Sequence, residues 1–265
     1  MNEAMADVVA IIPTIRIDEW LSVAVCSMLA QQDCRVHVVV VHDGVSPEPS
    51  QTWMRDDRVT ALHSEDRVGL AAVLTRAIGE TNEGLIARLD ADDISLPNRL
   101  AEQVKYLAAH PETVLVGSQG LRIDEFGKIS GRVDSVIGAD VRRSLLTRNV
   151  LVHSSVLFRR EAYVLAGGFD PTLRLMEDYD LWLRMAHVGP IAVMPNRFIQ
   201  YRVHSAQMTR GAKPVGPYIR KVLASHRNLA RALGVNRGEQ IGRMLFWLGA
   251  QHLRYWRIRK PGYDR

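Results

Sequence analysis

Three carboxylates close a short apolar run: Leu85-Ile86-Ala87-Arg88-Leu89 is followed at once by Asp90-Ala91-Asp92-Asp93. Such a run, bounded by turn residues, reads as a buried strand. Acids gathered at its end repel one another unless a cation stands among them. Hard divalent ions answer that need, because Mg²⁺ and Mn²⁺ prefer carboxylate oxygens and commonly share their shell with phosphate. The competing reading is that Asp92 and Asp93 cap a helix beginning near Pro97. One capping acid is ordinary, whereas three within four positions favour a metal and phosphate site.

A second acidic group, Glu177-Asp178-Tyr179-Asp180, opens a helical pattern behind the turn Gly167-Gly168-Phe169-Asp170-Pro171. Acids at a helix start are also favoured by the macrodipole and the free N–H groups there. Two separate acidic groups nevertheless permit a division of labour, one holding a diphosphate and the other deprotonating a hydroxyl. His204, after Tyr201-Arg202-Val203, is a candidate ligand for metal or phosphate. His153, before Ser154-Ser155, is a weaker candidate, since a strand-edge histidine beside hydroxyls can simply be solvated.

These groups need a scaffold that brings them together. Val8 to Ile12 is an apolar strand ended by Pro13, which cannot donate to a ladder. Residues 17–32 show helical spacing, and the very apolar Val36 to Val41 ends in His42-Asp43-Gly44. Val59 to His63 leads to Gly69 and a helix through about Ile78, and then the acid-tipped strand follows. Strands apolar on both faces and alternating with helices predict a parallel sheet covered on both sides. Ligands of such sheets bind at the carboxyl ends of the strands, which sets Pro13-Thr14, His42-Asp43 and Asp90 to Asp93 along one rim. No G-x-G-x-x-G follows the first strand and no G-x-x-x-x-G-K-[ST] occurs, so neither a dinucleotide fold nor a P-loop is supported.

The second half is less regular. It predicts a helix over 96–110 with Pro97 in its first turn, a strand over 113–118, a hairpin-like stretch over 121–129 and a helix over 139–147. A strand over 155–158, a helix over 181–187 and short strands over 191–194 and 198–201 complete it. From Lys213 onward the pattern is helical and basic, over 218–233 and 239–257. The expected organisation is a catalytic domain over residues 1–210 and a basic helical extension over 211–265. In the extension Phe246, Trp247, Leu248, Leu253, Tyr255 and Trp256 interleave with Arg243, Arg254, Arg257, Arg259 and Lys260. A helix of that kind either lies on an anionic membrane surface or packs on the domain with its charges in water.

The 265 residues, 47% hydrophobic and 24% charged, suit one large globular domain or one domain with an appendage. The two cysteines, Cys26 and Cys34, fall in the early helical region and offer neither a disulfide framework nor a C-x-x-C metal pattern, which points to a reducing compartment. The N-terminus lacks a tripartite signal, and no apolar run reaches the length of a membrane span. A cytoplasmic, non-integral protein is expected. The net charge of +5 calls for an anionic partner: a nucleotide, a phospholipid surface or a nucleic acid. With no zinc-finger spacing, RNA-binding aromatic signature or helix-turn-helix, nucleic acid ranks last.

With these residues assembled, the stretch from Val8 to Thr209 resembles a family 2 glycosyltransferase of the GT-A fold, a mostly parallel α/β sheet flanked by helices. Ala10-Ile11-Ile12-Pro13-Thr14 resembles the family's opening strand and turn at the nucleotide base. His42-Asp43-Gly44 resembles its Asp-Asp-Gly, with His42 in place of the usual Asp. Asp90-Ala91-Asp92-Asp93, running on into Ile94-Ser95-Leu96-Pro97-Asn98-Arg99-Leu100, resembles its metal-binding D-x-D segment. Glu177-Asp178 matches the family's acidic pair and Tyr201-Arg202-Val203-His204 the segment of its late histidine. Ile15-Arg16 and Thr75 depart from the aromatic and Asn residues common in the family.

The resemblance implies metal-dependent, inverting transfer of a hexosyl or N-acetylhexosaminyl group from a nucleoside-diphosphate sugar, UDP foremost, to a saccharide or lipid-linked acceptor in cell-surface polysaccharide synthesis. It further implies Mn²⁺ or Mg²⁺ on Asp92 and His204, and donor contacts from Pro13, Thr14, Asp43, Gly69, Asp90, Asp92 and Arg202. Asp178 becomes the general base, and Glu177 and His153 serve the acceptor or support the site. A sugar-phosphate nucleotidylyltransferase is the nearest rival, but it would carry a Gly-rich, basic stretch where Pro13-Thr14-Ile15-Arg16-Ile17 stands. A non-catalytic nucleotide-sugar or glycan-binding module would need neither Asp92 nor Asp178.

Overall fold

Alternate residues of the first two strands bury on opposite faces of one sheet, and helices cover both. The computed structural model describes residues 7–48, 50–205, 207, 216 and 218–258. Strands β1 (Asp7–Thr14), β2 (Arg35–Asp43), β3 (Val59–Ser64) and β4 (Leu85–Arg88) lie side by side in the order β3-β2-β1-β4, all parallel. Val9, Ile11, Val39 and Val41 pack beneath helices α2 (Leu70–Gly79) and α6 (Glu177–Val188). Val8, Ala10, Ile12, Val38 and Val40 pack against α1 (Glu19–Leu29) and α3 (Arg99–Ala109). The period of two in the strands thus divides one apolar run between two cores.

Beyond β4 the sheet turns mixed. β8 (Leu157–Arg159) runs antiparallel between β4 and β6 (Leu115–Ile123), and β6 pairs in parallel with the long β9 (Ile191–Arg202). β7 (Ile129–Val133) forms a hairpin with β6, and the two-residue β5 (Ile94–Ser95) pairs antiparallel with β9. Short helices α4 (Arg142–Leu145) and α5 (Arg160–Leu165) connect these parts. The chain ends in α7 (Ile219–Ala232) and α8 (Arg237–Ile258). Val222, Leu229 and Ala230 of α7 and Trp247 of α8 join the core beneath α6. No helix among the described residues is long and apolar enough to cross a membrane.

Several elements differ from expectation for identifiable reasons. Helix α3 starts at Arg99 because Ile94 and Ser95 are held extended by β9 and Leu96 precedes a proline. Asp92 and Asp93 therefore do not cap it. Its N-cap is Asn98, which makes no side-chain capping bond. The two short strands expected over 191–201 are one, since Pro195 and Asn196 fall where the register with β6 slips, a bulge that tolerates proline. Helix α6 begins at Glu177 itself, after Met176 in a left-handed conformation at φ 62°. Cys34 lies outside α1, just before β2. The boundary expected near residue 210 falls outside the described residues, as do Arg259, Lys260 and the side chains of residues 254–258.

Candidate active site

The carboxyl ends of β1, β2 and β4 open onto a cleft of about 1060 Å³. Pro13, Thr14, Asp43, Gly69, Asp90 and Asp92 line it from the sheet side. His153, Asp178 and His204 line it from the later elements. Arg202 and Glu177 are not among its lining residues. Side chains from a strand end and from a helix start more than eighty residues apart thus share one space.

The three acids after β4 are treated unequally by their surroundings. Burial pushes the Asp90 carboxyl up, but Arg88, His153 and Ser154 outweigh it and hold Asp90 below the ordinary range. Arg88 sits 2.5 Å from Asp90 Oδ1, and the Ser154 hydroxyl donates to Asp90 Oδ2 at 2.7 Å. Asp92 is raised by burial and by the charge of Asp90, partly offset by His204, whose Nε2 lies 2.8 Å from Asp92 Oδ2. Asp93 is raised well above the usual value by burial, Asp90 and Asp92. Its Oδ1 accepts the Arg202 N–H at 2.8 Å, while its buried Oδ2 has no hydrogen-bond partner among the described residues.

Oxygens of Asp90, Asp92 and Asp93 lie within 4.8 Å of one another. All are hard donors, two of the acids are driven toward their neutral forms, and one buried oxygen lacks a partner. Positive charge is what such a group lacks, so these residues fit a divalent cation of oxygen preference.

Asp43 is engaged as soon as β2 ends. Its Oδ1 accepts from the Val68 N–H at 2.7 Å and its Oδ2 from the Gly69 N–H at 3.0 Å. It therefore braces the loop entering α2 at the rim of the cleft. Gly69 has φ of +98°, and a Cβ there would meet Arg174 Nη1 at 2.6 Å, so only glycine suits this turn. Arg202, expected among the donor contacts, is instead turned inward. Its guanidinium donates to the carbonyls of Asp92, Asp124 and Glu125 at 2.8–3.1 Å and lies 5.0 Å from the Trp20 ring centroid. It fixes the backbone carrying the acids.

Across the cleft, Asp178 Oδ2 accepts from Asn149 Nδ2 at 2.9 Å and Oδ1 from the Tyr179 N–H at 2.6 Å. Glu177 beside it is buried, and burial followed by the Asp178 charge raises its carboxyl to about 7. His153 is lowered by burial and by Arg88, a trend that Asp90 and Asp178 oppose. Its Nε2 is buried with no partner among the described residues, and its ring stands edge-on to Trp182 at 6.0 Å.

Arg88, Ser154 and Asn149 escaped the sequence reading. Arg88 had a signal: an arginine inside the apolar run Ile86-Ala87-Arg88-Leu89 must be paired if that run is a buried strand, and the acid two positions on is its partner. Ser154 and Asn149 reach their acids from 64 and 29 residues away, and no local pattern marks them.

Residues 9–164 match the family described as Glycosyl transferase family 2. The chain is 30% identical over 178 residues to the amylovoran biosynthesis glycosyltransferase AmsE of Erwinia amylovora, covering 65% of this chain and 66% of that one. It is 24% identical to the O-antigen biosynthesis glycosyltransferase WbnJ of Escherichia coli, covering 80% and 86%. Among solved structures, residues 1–349 of S. aureus TarS in complex with UDP-GlcNAc superpose with a TM-score of 0.70 at 13% identity, over 94% of this chain and 73% of that one. That likeness establishes the fold as GT-A type.

Proposed function

Because the chain belongs to glycosyl transferase family 2, we propose that it transfers a hexosyl or N-acetylhexosaminyl group from a UDP-sugar to a hydroxyl of a saccharide or lipid-linked acceptor. The reaction would serve cell-surface polysaccharide synthesis from the cytoplasm. One observation carries this reading: Asp90 and Asp92 after β4 and Asp178 at the start of α6 line the same cleft. The amylovoran and O-antigen roles in the relatives' names, and the UDP-GlcNAc bound by TarS, support the substrate class.

Asp92, with Asp90 and His204 beside it, would hold Mn²⁺ or Mg²⁺. When bound, that ion supplies positive charge to the diphosphate leaving group. Pro13, Thr14 and the loop braced by Asp43 form the nucleotide end of the cleft. Asp178, fixed by Asn149 and the Tyr179 N–H, takes the proton of the acceptor hydroxyl. As that oxygen bonds to the anomeric carbon, the bond from carbon to the diphosphate oxygen breaks and its electron pair leaves with the UDP. A single displacement from the opposite face inverts the anomeric centre. Asp90, tied to Arg88 and Ser154, stays charged and in place beside the donor.

Thermal unfolding with UDP, dTDP, GDP and CDP, each with and without Mn²⁺, tests this. The expected result is a rise in midpoint with UDP and Mn²⁺ together, by mass action on the folded state, that disappears in Asp92→Ala. A folded protein that responds to none of the diphosphates would overturn the reading.

A further inference from the structure

Helix α8 faces two ways. Trp247, Ala250 and Gln251 line the cleft that also holds Asp178, and Trp247 is the anchor, 1% exposed and stacked on Tyr179 with centroids 5.7 Å apart. On another arc of the same helix Ile241, Leu245, Phe246 and Leu253 are 53, 60, 64 and 69% exposed. At 3.6 residues per turn, Gly242, Gly249 and His252 fall on that arc with them, and all are exposed. The charged residues of this stretch, Glu239 and Arg243, sit at and beyond its edge and pair with each other at 2.9 Å. Exposed apolar residues are ordinary when scattered, but four on one arc of one helix make a contiguous face.

The charge around this face is lopsided. Residues 211–265 hold 12 of the 34 Lys and Arg but only two of the 29 Asp and Glu. The rest of the chain carries more acids than bases, so the net charge of +5 comes wholly from the end that bears the apolar face. On α7, Arg220, Arg227 and Arg231 recur at i, i+7 and i+11, are exposed, and enter no ion pair among the described residues. They form one basic stripe.

We propose that α7 and α8 dock the protein on an anionic phospholipid bilayer. The apolar arc enters the boundary between headgroups and acyl chains, and the arginines meet lipid phosphates. A second copy of the chain is the poorer occupant, because it would bring two such basic ends together. Since α8 also walls the cleft, docking sets the cleft close to the membrane, where a lipid-linked acceptor would be presented. That last consequence rests on the transferase reading, whereas the docking itself does not.

The test is co-sedimentation of the full chain with vesicles of phosphatidylcholine alone and of phosphatidylcholine with phosphatidylglycerol. Binding is expected only to the anionic vesicles, with release as salt rises. Leu245→Glu with Phe246→Glu, both on the exposed arc, should weaken it by on the order of tenfold for each side chain. Arg227→Glu with Arg231→Glu should weaken it as well. A cooperative thermal unfolding transition without ligand reports that each variant is folded. Absence of any shift with UDP and Mn²⁺ in a folded protein that still binds vesicles would remove the transferase reading and leave docking standing. Docking is overturned if the wild type stays in the supernatant with anionic vesicles, or if the Glu variants sediment as well as it does. It is also overturned if light scattering finds a wild-type dimer that the Leu245 and Phe246 substitutions split.

Discussion

Substituting Glu177 by Gln separates the effect of one buried proton from the rest of the protein. Glu177 is 9% exposed at the start of α6, and burial together with the adjacent Asp178 charge raises its carboxyl to about 7 from the 4.5 of an ordinary glutamate. The folded chain therefore binds this proton more tightly than the unfolded chain does. Between those two values the native state carries the extra proton, so the stabilising contribution is complete below the unfolded value and is lost as pH climbs through about 7. At about 1.4 kcal/mol per pH unit, the gap is worth roughly 3 kcal/mol. Gln keeps the shape without the titration. Urea unfolding of both proteins across about pH 4 to 8, with m-values compared, gives the difference directly. At the acid end Glu177→Gln should nearly match the wild type, and at the alkaline end it should be more stable by up to about 3 kcal/mol. A difference that does not change with pH would refute the claim that the folded state holds Glu177 protonated near neutrality.

Two further substitutions test the same region, at Asp178 and at the Trp247 that packs on α6. Asp178→Asn retains the volume, gives up one of the two hydrogen bonds that Asn149 and the Tyr179 N–H donate, and removes the proton acceptor, so transfer should fall by about 10²–10⁴-fold while stabilisation by UDP and Mn²⁺ persists, as read by product formation and thermal shift on the same preparation. Trp247→Ala empties a fully buried site against Tyr179 and should lower stability by about 3–5 kcal/mol, measured by denaturant unfolding; a loss below about 1 kcal/mol would mean that α8 is not part of the cooperative core.

The parallel half of the sheet could be read from the sequence because its strands are apolar on both faces and their carboxyl ends are marked by polar turns. Pro13-Thr14, Asp43 and the acids after Leu89 thus fall on one rim by pattern alone. The mixed half resisted for the same physical reason in reverse. β5 is two residues long and exists only because β9 pairs with it, and β9 is continuous across a proline only because β6 accommodates a bulge. Roles inside the site were harder still. Arg202 stands where a donor contact was expected, yet its guanidinium satisfies three carbonyls left bare by the turn after Asp90 and the β6–β7 hairpin. Asp43 likewise already binds two backbone N–H groups. A sequence shows that a charge is present, and only the fold shows which dipoles have already claimed it.

That principle also explains how three acids coexist after β4. Arg88 and Ser154 satisfy Asp90 from within, so it is the member held ionised. Asp93 is turned toward the Arg202 backbone and pushed toward neutrality, where it adds little repulsion. Arg99, buried behind them and lowered to about 9 by that burial, donates to the Arg88 carbonyl and steadies the strand end. Asp92 lines the cleft with its Oδ2 2.8 Å from His204 Nε2, its carboxyl raised by burial and by the Asp90 charge. The fold has therefore satisfied Asp90, muted Asp93 and left the Asp92 carboxyl raised at the cleft, which is why Asp92→Ala is the substitution that tests the proposed metal site with the least disturbance of the strand end.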